Sequence, residues 1–105
     1  MATKKEYLDF VLEQLAETED ITYRAMMGEY ILYCKGKIFG GIYDGRFLVK
    51  PTAAAKRLMP NAPLETPYEG AKDMLLVEEI EDKAFIKELI GAMVEELPAP
   101  KKRKR

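Results

Sequence analysis

The chain has no histidine, no serine and no tryptophan, and Cys34 is its only cysteine in 105 residues. Without histidine or serine there is no Ser-His or Cys-His nucleophile pair, no imidazole to move protons near neutral pH, and none of the commonest transition-metal ligand. A single thiol forms neither an intrachain disulfide nor a cysteine-cluster metal site, which fits a reducing compartment. There is no run of about 18 apolar residues, the length needed to cross a bilayer. The opening "MATKKEYLDF" lacks the apolar segment of a secretory signal, so the expected location is cytoplasmic and no membrane partner is implied.

What remains is carboxylates, lysines, tyrosines, threonines and one thiol. With 48% hydrophobic and 33% charged residues the composition is that of a globular protein, and the length predicts one domain over residues 1–97. The net charge of −1 conceals an asymmetry. Lys101, Lys102, Arg103, Lys104 and Arg105 carry five positive charges, and removing them leaves −6 on residues 1–100. An acidic body is followed by a strongly basic tail, 98–105, with no apolar face and an expected lack of order.

Thr3 followed by Glu6 has the spacing of a capping box, and Tyr7, Leu8, Phe10, Val11, Leu12 and Leu15 recur at helical intervals, which predicts a first helix ending near "ETED". From Ile21 the pattern becomes short runs of Ile, Tyr, Phe and Val separated by "MG", "KG" and "DG". An antiparallel meander is expected, with strands near 22–26, 30–34, 37–43 and 46–50. Asp44-Gly45 is the stronger turn signal; Lys35-Gly36 is weaker and is compatible with a three-residue loop and a bulge. Thr52 is placed to cap a short helix through "AAAKRLM", the stretch 61–67 reads as loop, and "DMLLVEE" predicts a fifth strand. Asp82 then caps a last helix whose Phe85, Ile86, Leu89, Ile90, Met93, Val94 and Leu97 form one apolar stripe.

If both turns have two-residue loops, counting along the strands assigns the faces. Ile31, Tyr33, Ile38, Ile42, Phe47 and Val49 form the expected core face. Tyr30, Leu32, Cys34, Lys37, Phe39, Tyr43, Arg46, Leu48 and Lys50 fall on the other, and Tyr30, Phe39, Tyr43, Arg46 and Leu48 are the candidate interaction face. Such a mixture of aromatic and basic groups serves as a protein interface, as a nucleic-acid platform, or simply as a solvated sheet face.

The glycines lack the G-x-G-x-x-G spacing of a phosphate loop, and turns or close strand packing account for them better. Gly40-Gly41 within a strand calls for a bulge or a tightly packed neighbour. Lys35 and Lys37 would lower the pKa of Cys34 somewhat, but with no histidine or second cysteine a passive strand thiol is expected. Glu78, Glu79, Glu81 and Asp82 lack the glycine and spacing of a calcium loop, and read as a solvated strand end and helix cap. No catalytic, cofactor or metal residue is singled out.

The stretch "RAMMGEYILYCKGKIFGGIYDGRFLVK" resembles the N-terminal domain of the TfoX/Sxy family, bacterial regulators of natural competence. The residues that carry the resemblance are Met27, Gly28, Tyr30, Tyr33, Gly36, Lys37, Phe39, Asp44 and Lys50, followed by "PLETPYEGAKDMLLVEE" and a terminal amphipathic helix. The resemblance implies an α+β, two-layer domain with one antiparallel sheet of about five strands, helices on one face, and the order α-β-β-β-β-α-β-α. It also implies a non-enzymatic regulatory role without a cofactor, in which proteins of this kind assist a cyclic-AMP-responsive transcription activator in switching on DNA-uptake genes. Members active in competence usually carry a second, helical C-terminal domain, whereas this sequence closes on "KKRKR". The expected partners are therefore a protein of the transcription machinery or a second copy, with any nucleic-acid contact weak and dependent on the tail. The alternative is a small DNA-binding protein of the YjbR kind, whose fold is similar.

Overall fold

The structure, a computed structural model, describes residues 5–78 and 80–97. The Thr3 half of the proposed capping box, Glu79 and the basic tail lie outside the described residues. The elements follow the order α1 (Lys5–Gln14), β1 (Ile21–Met26), β2 (Glu29–Cys34), β3 (Lys37–Tyr43), β4 (Arg46–Val49), α2 (Ala53–Leu58), β5 (Leu64–Glu65), β6 (Met74–Leu76) and α3 (Lys83–Val94). All strand pairs are antiparallel, in the spatial order β1-β2-β3-β4-β6-β5. The fold is thus α+β with one open sheet. It has six strands rather than five, because two residues of the stretch read as loop, Leu64 and Glu65, pair with Leu75 and Met74.

The hairpins rest on turn chemistry. Met27-Gly28, Lys35-Gly36 and Asp44-Gly45 each place two successive residues at positive φ, at 53° and 86°, 54° and 80°, and 53° and 72°. That is the two-residue turn whose twist matches the strands it joins. Lys35-Gly36 is therefore as tight as Asp44-Gly45, and the irregularity foreseen for it lies elsewhere, inside the strand pair.

Tyr33 pairs with Ile38, but Leu32 pairs with Gly40, so Phe39 is an extra residue in β3. This bulge reverses the alternation of β3 and corrects the face assignment made by counting. Leu32, Cys34 and Phe39 point into the core together with Ile42, Phe47 and Val49, while Ile31, Tyr33 and Ile38 turn to the opposite side. Phe39 and Phe47 meet edge to face at 6.5 Å. Gly40 is required beside the bulge, since a Cβ there would collide with the Leu48 carbonyl and lie 2.8 Å from Val49 Cα.

One core joins this face to all three helices: Leu8, Val11 and Leu15 from the α1 region, Ala54 and Ala55 from α2, and Ile86, Leu89, Ile90 and Met93 from α3. The predicted caps are in place. Thr52 Oγ1 accepts the Ala55 N–H at 3.1 Å and an Asp82 carboxylate oxygen accepts the Phe85 N–H at 3.0 Å. A Glu96 carboxylate oxygen accepts the Ala54 N–H at 3.0 Å, so the end of α3 also closes the start of α2. Among the described residues, no helix is long and apolar enough to cross a membrane.

Candidate functional site

Among the described residues, the helices leave the other face of the sheet to a single covering segment, 66–73. Arg46 anchors it. Its guanidinium meets a Glu65 carboxylate oxygen at 2.7 Å and donates to the Thr66 and Pro67 carbonyls at 3.3 and 3.4 Å, while Nε donates to the Tyr43 carbonyl at 3.2 Å. Thr66 Oγ1 donates to Asp73 at 2.7 Å and closes the segment on itself. Beneath it the Tyr43 ring lies over Gly41, where a Cβ would come within 2.6 Å of that ring, and the Tyr68 ring packs on Tyr43 at 5.9 Å. Tyr43 and Leu48 are buried here, apart from the main core.

Between this cover and strands β1 to β3 runs an open groove of about 470 Å³. Met26, Ile31 and Ile38 line it on the strand side, Tyr43 and Tyr68 under and on the cover, and Lys50, Lys72 and Asp73 also reach it. Each strand contributes by parity: Met26, Ile31, Ile38 and Tyr43 all fall on the face away from the helices. Met26, Ile38 and Tyr68 are exposed, which places apolar surface beside two ammonium groups. An exposed apolar patch rimmed by charged groups is the kind of surface that marks interaction sites in general.

The candidate interaction face drawn from the sequence is thereby split. Tyr30 and Phe39 belong to the helix side, Phe39 with no exposed surface, while Tyr43 and Leu48 lie under the 66–73 cover and Arg46 is its internal anchor. The five do not form one continuous surface, and of them only Tyr43 lines the groove; the register-shifting bulge and the covering segment are the reasons. Of the groove residues, Met26, Tyr68 and Lys72 were not singled out and Ile31 and Ile38 were expected in the core; the Pro-flanked stretch "PLETP" was the one local hint that something crosses the sheet there.

The motif residues divide by task. Met27, Gly28, Gly36 and Asp44 occupy positive-φ turn positions, with the Met27 side chain 95% exposed. Tyr30 and Phe39 pack with the core, and Lys37 Nζ donates to the Val94 carbonyl at 3.0 Å. Tyr33 and Lys50 remain on the groove side.

Burial pushes the Tyr43 phenol above its usual value, reinforced by Tyr68, Glu29 and Tyr33. Burial likewise raises the Cys34 thiol, and it outweighs the lowering effect of Lys35 and Lys37 expected from sequence. That thiol is 3% exposed and its Sγ lies 3.5 Å from the Glu19 carbonyl. Among the described residues no three Cys, Asp or Glu side chains are grouped to hold a metal ion.

The family model described as the TfoX N-terminal domain matches residues 13–87, most of the chain and all six strands. A curated relative, described as an uncharacterized 12.7 kDa protein in the trpE 5′ region of Spirochaeta aurantia, is 36% identical over 105 residues, covering 99% of this chain and 91% of that protein. No solved structure matches the chain with significance.

Proposed function

We propose, from the premise that this chain belongs to the TfoX N-terminal domain family, that it is a non-enzymatic regulatory domain that binds a protein of the bacterial transcription machinery. The observation that carries the reading is the groove on the helix-free face, where exposed Met26, Ile38 and Tyr68 adjoin Lys50, Lys72 and Asp73. Apolar anchors give such a contact its affinity, and the two ammonium groups select an acidic partner surface and speed encounter. By the family's example, the partner is a cyclic-AMP-responsive activator or RNA polymerase, and the process is competence for DNA uptake.

The test is direct binding of purified activator and purified RNA polymerase to the immobilised chain, alongside Ile38→Glu. The variant places a carboxylate in the groove at a partly exposed position and leaves the core untouched. Binding by the parent chain and its loss in Ile38→Glu supports the reading; indifference of both proteins to the chain overturns it. Duplex DNA is the third analyte. Sequence-selective binding that survives removal of 98–105 would favour a DNA-binding protein of the YjbR kind instead. Weak binding that disappears with the tail, with a log-log salt slope of about −4.5 for five phosphate contacts, is counterion release alone.

A further inference from the structure

The two edges of the sheet are built differently. On one side β5 closes the sheet with two residues, flanked by Pro63 and Pro67, and proline has no amide to offer an incoming strand. On the other side β1 presents six residues with no proline and a regular register to β2, and residues 22–26 are all exposed. Its one charge is Arg24. A regular edge of that length is a template for another strand.

The phase of the outward-facing groups follows from the hairpin. With a two-residue turn at Met27-Gly28, Met26 and Glu29 form a hydrogen-bonded pair, and by alternation Arg24 and Thr22 also direct their amides and carbonyls to β2. The Lys35 N–H to Asp20 carbonyl bond of 3.0 Å continues the same phase. Ile21, Tyr23 and Ala25 therefore turn their N–H and C=O groups away from the sheet. Outside the strand ladders, no hydrogen bond among the described residues uses them.

We infer that a second copy of this chain pairs antiparallel along β1, with Tyr23 opposite Tyr23 of the second copy, joining the two sheets into one. The inference is independent of the regulatory reading. Opposite residues in an antiparallel pair share a face, and in this register Ile21 meets Ala25 and Thr22 meets Arg24. Every outward amide and carbonyl of Ile21, Tyr23 and Ala25 then has a partner. Centring the pair on Arg24 instead sets two guanidinium groups face to face, and centring it on Thr22 pushes Ala25 beyond the end of the strand opposite. The edge is thus self-complementary in one register.

Side chains agree with the backbone. Tyr23 stands edge-on to Tyr30 at 5.9 Å and 77°, on the helix side of the sheet, and is 45% exposed. A second Tyr23 ring covers that exposed flank and extends an aromatic row across the junction.

The experiment is sedimentation equilibrium of the full chain, with Tyr23→Arg and Tyr23→Glu measured alone and mixed in equal amounts. The parent chain of 12.0 kDa is expected as a dimer. Each charged variant alone sets like charges opposite one another and dissociates at least about tenfold more readily, and the mixture restores association. Tyr23→Pro, which removes an outward amide together with the ring, is expected to be monomeric; the charge pair decides even where that variant does not fold. A parent chain that stays monomeric, or a dimer equally tight in Tyr23→Arg and Tyr23→Glu, overturns the inference.

Discussion

The Lys37 ammonium lies 3.0 Å from the Val94 carbonyl, so a strand residue closes the last turn of α3. That helix carries no basic residue in its own last turn, and its C-terminal carbonyls concentrate partial negative charge. The cation comes from β3 because the Lys35-Gly36 turn, ahead of the bulge, leaves Lys37 on the helix side. Sheet and helix are joined there by chemistry as well as by apolar packing.

Replacing Lys37 by methionine, which keeps the length of the side chain and removes the charge, is expected to lower stability by about 1 kcal/mol. Urea melts at low and high salt check it. A loss that shrinks in high salt identifies the charge–dipole interaction; no loss at either salt refutes it.

The bulge makes neighbouring residues differ sharply. Phe39 has no exposed surface whereas Ile38 is 38% exposed on the opposite side. Phe39→Ala and Phe47→Ala are each expected to cost about 3 to 5 kcal/mol, as large core truncations do. Ile38→Ala is expected to cost well under half of that. Chemical denaturation of the three variants decides, and equal losses at 38 and 39 would contradict the register.

Two glycine-to-alanine changes should move stability in opposite directions. At Gly40 the new methyl would meet the Leu48 carbonyl and Val49 Cα, both backbone, so β4 must shift and stability falls. At Gly91, within α3, nothing lies within 4 Å of the added methyl. Alanine there should stabilise by about 0.5 to 1 kcal/mol through helix propensity. Thermal melts of the pair read both signs at once.

Burial raises the pKa of Cys34 above 9.0 and those of Tyr7 and Tyr43 above 10.0. For such groups the folded state holds its protons when the unfolded chain has already lost them, so stability falls as pH rises. The window opens near pH 9.0 for the thiol and near 10.0 for the phenols, and the loss continues up to their folded values. Urea midpoints between pH 7 and 11 should decline from about pH 9 upward, and Cys34→Ala should flatten the first part of that decline. A midpoint that rises with pH would reverse the assignment.

The sequence by itself determined the local structure. Helical apolar spacing set α1 and α3, Thr52 and Asp82 set two helix starts, and three glycine-bearing turns set the hairpins, because each of these signals acts within a few residues. The resemblance carried by Met27 through Lys50 likewise pointed to the family whose model matches 13–87.

Only the tertiary structure decided which side chains face which layer. Strand alternation has a period of two, so the single extra residue at Phe39 inverts Leu32 against Ile31 and Phe39 against Ile38. Nothing local to "KIFGG" states which residue is the extra one. The covering segment 66–73 and the Arg46 anchor were equally hidden, since their contacts span some twenty residues, as in the bridge from Arg46 to Glu65. The outward face of the sheet, and with it the groove of Met26, Ile31 and Ile38, exists only once those distant pieces meet. Register and cover are properties of the assembled sheet, fixed by where the helices and the 66–73 segment pack, and no short stretch of sequence contains them.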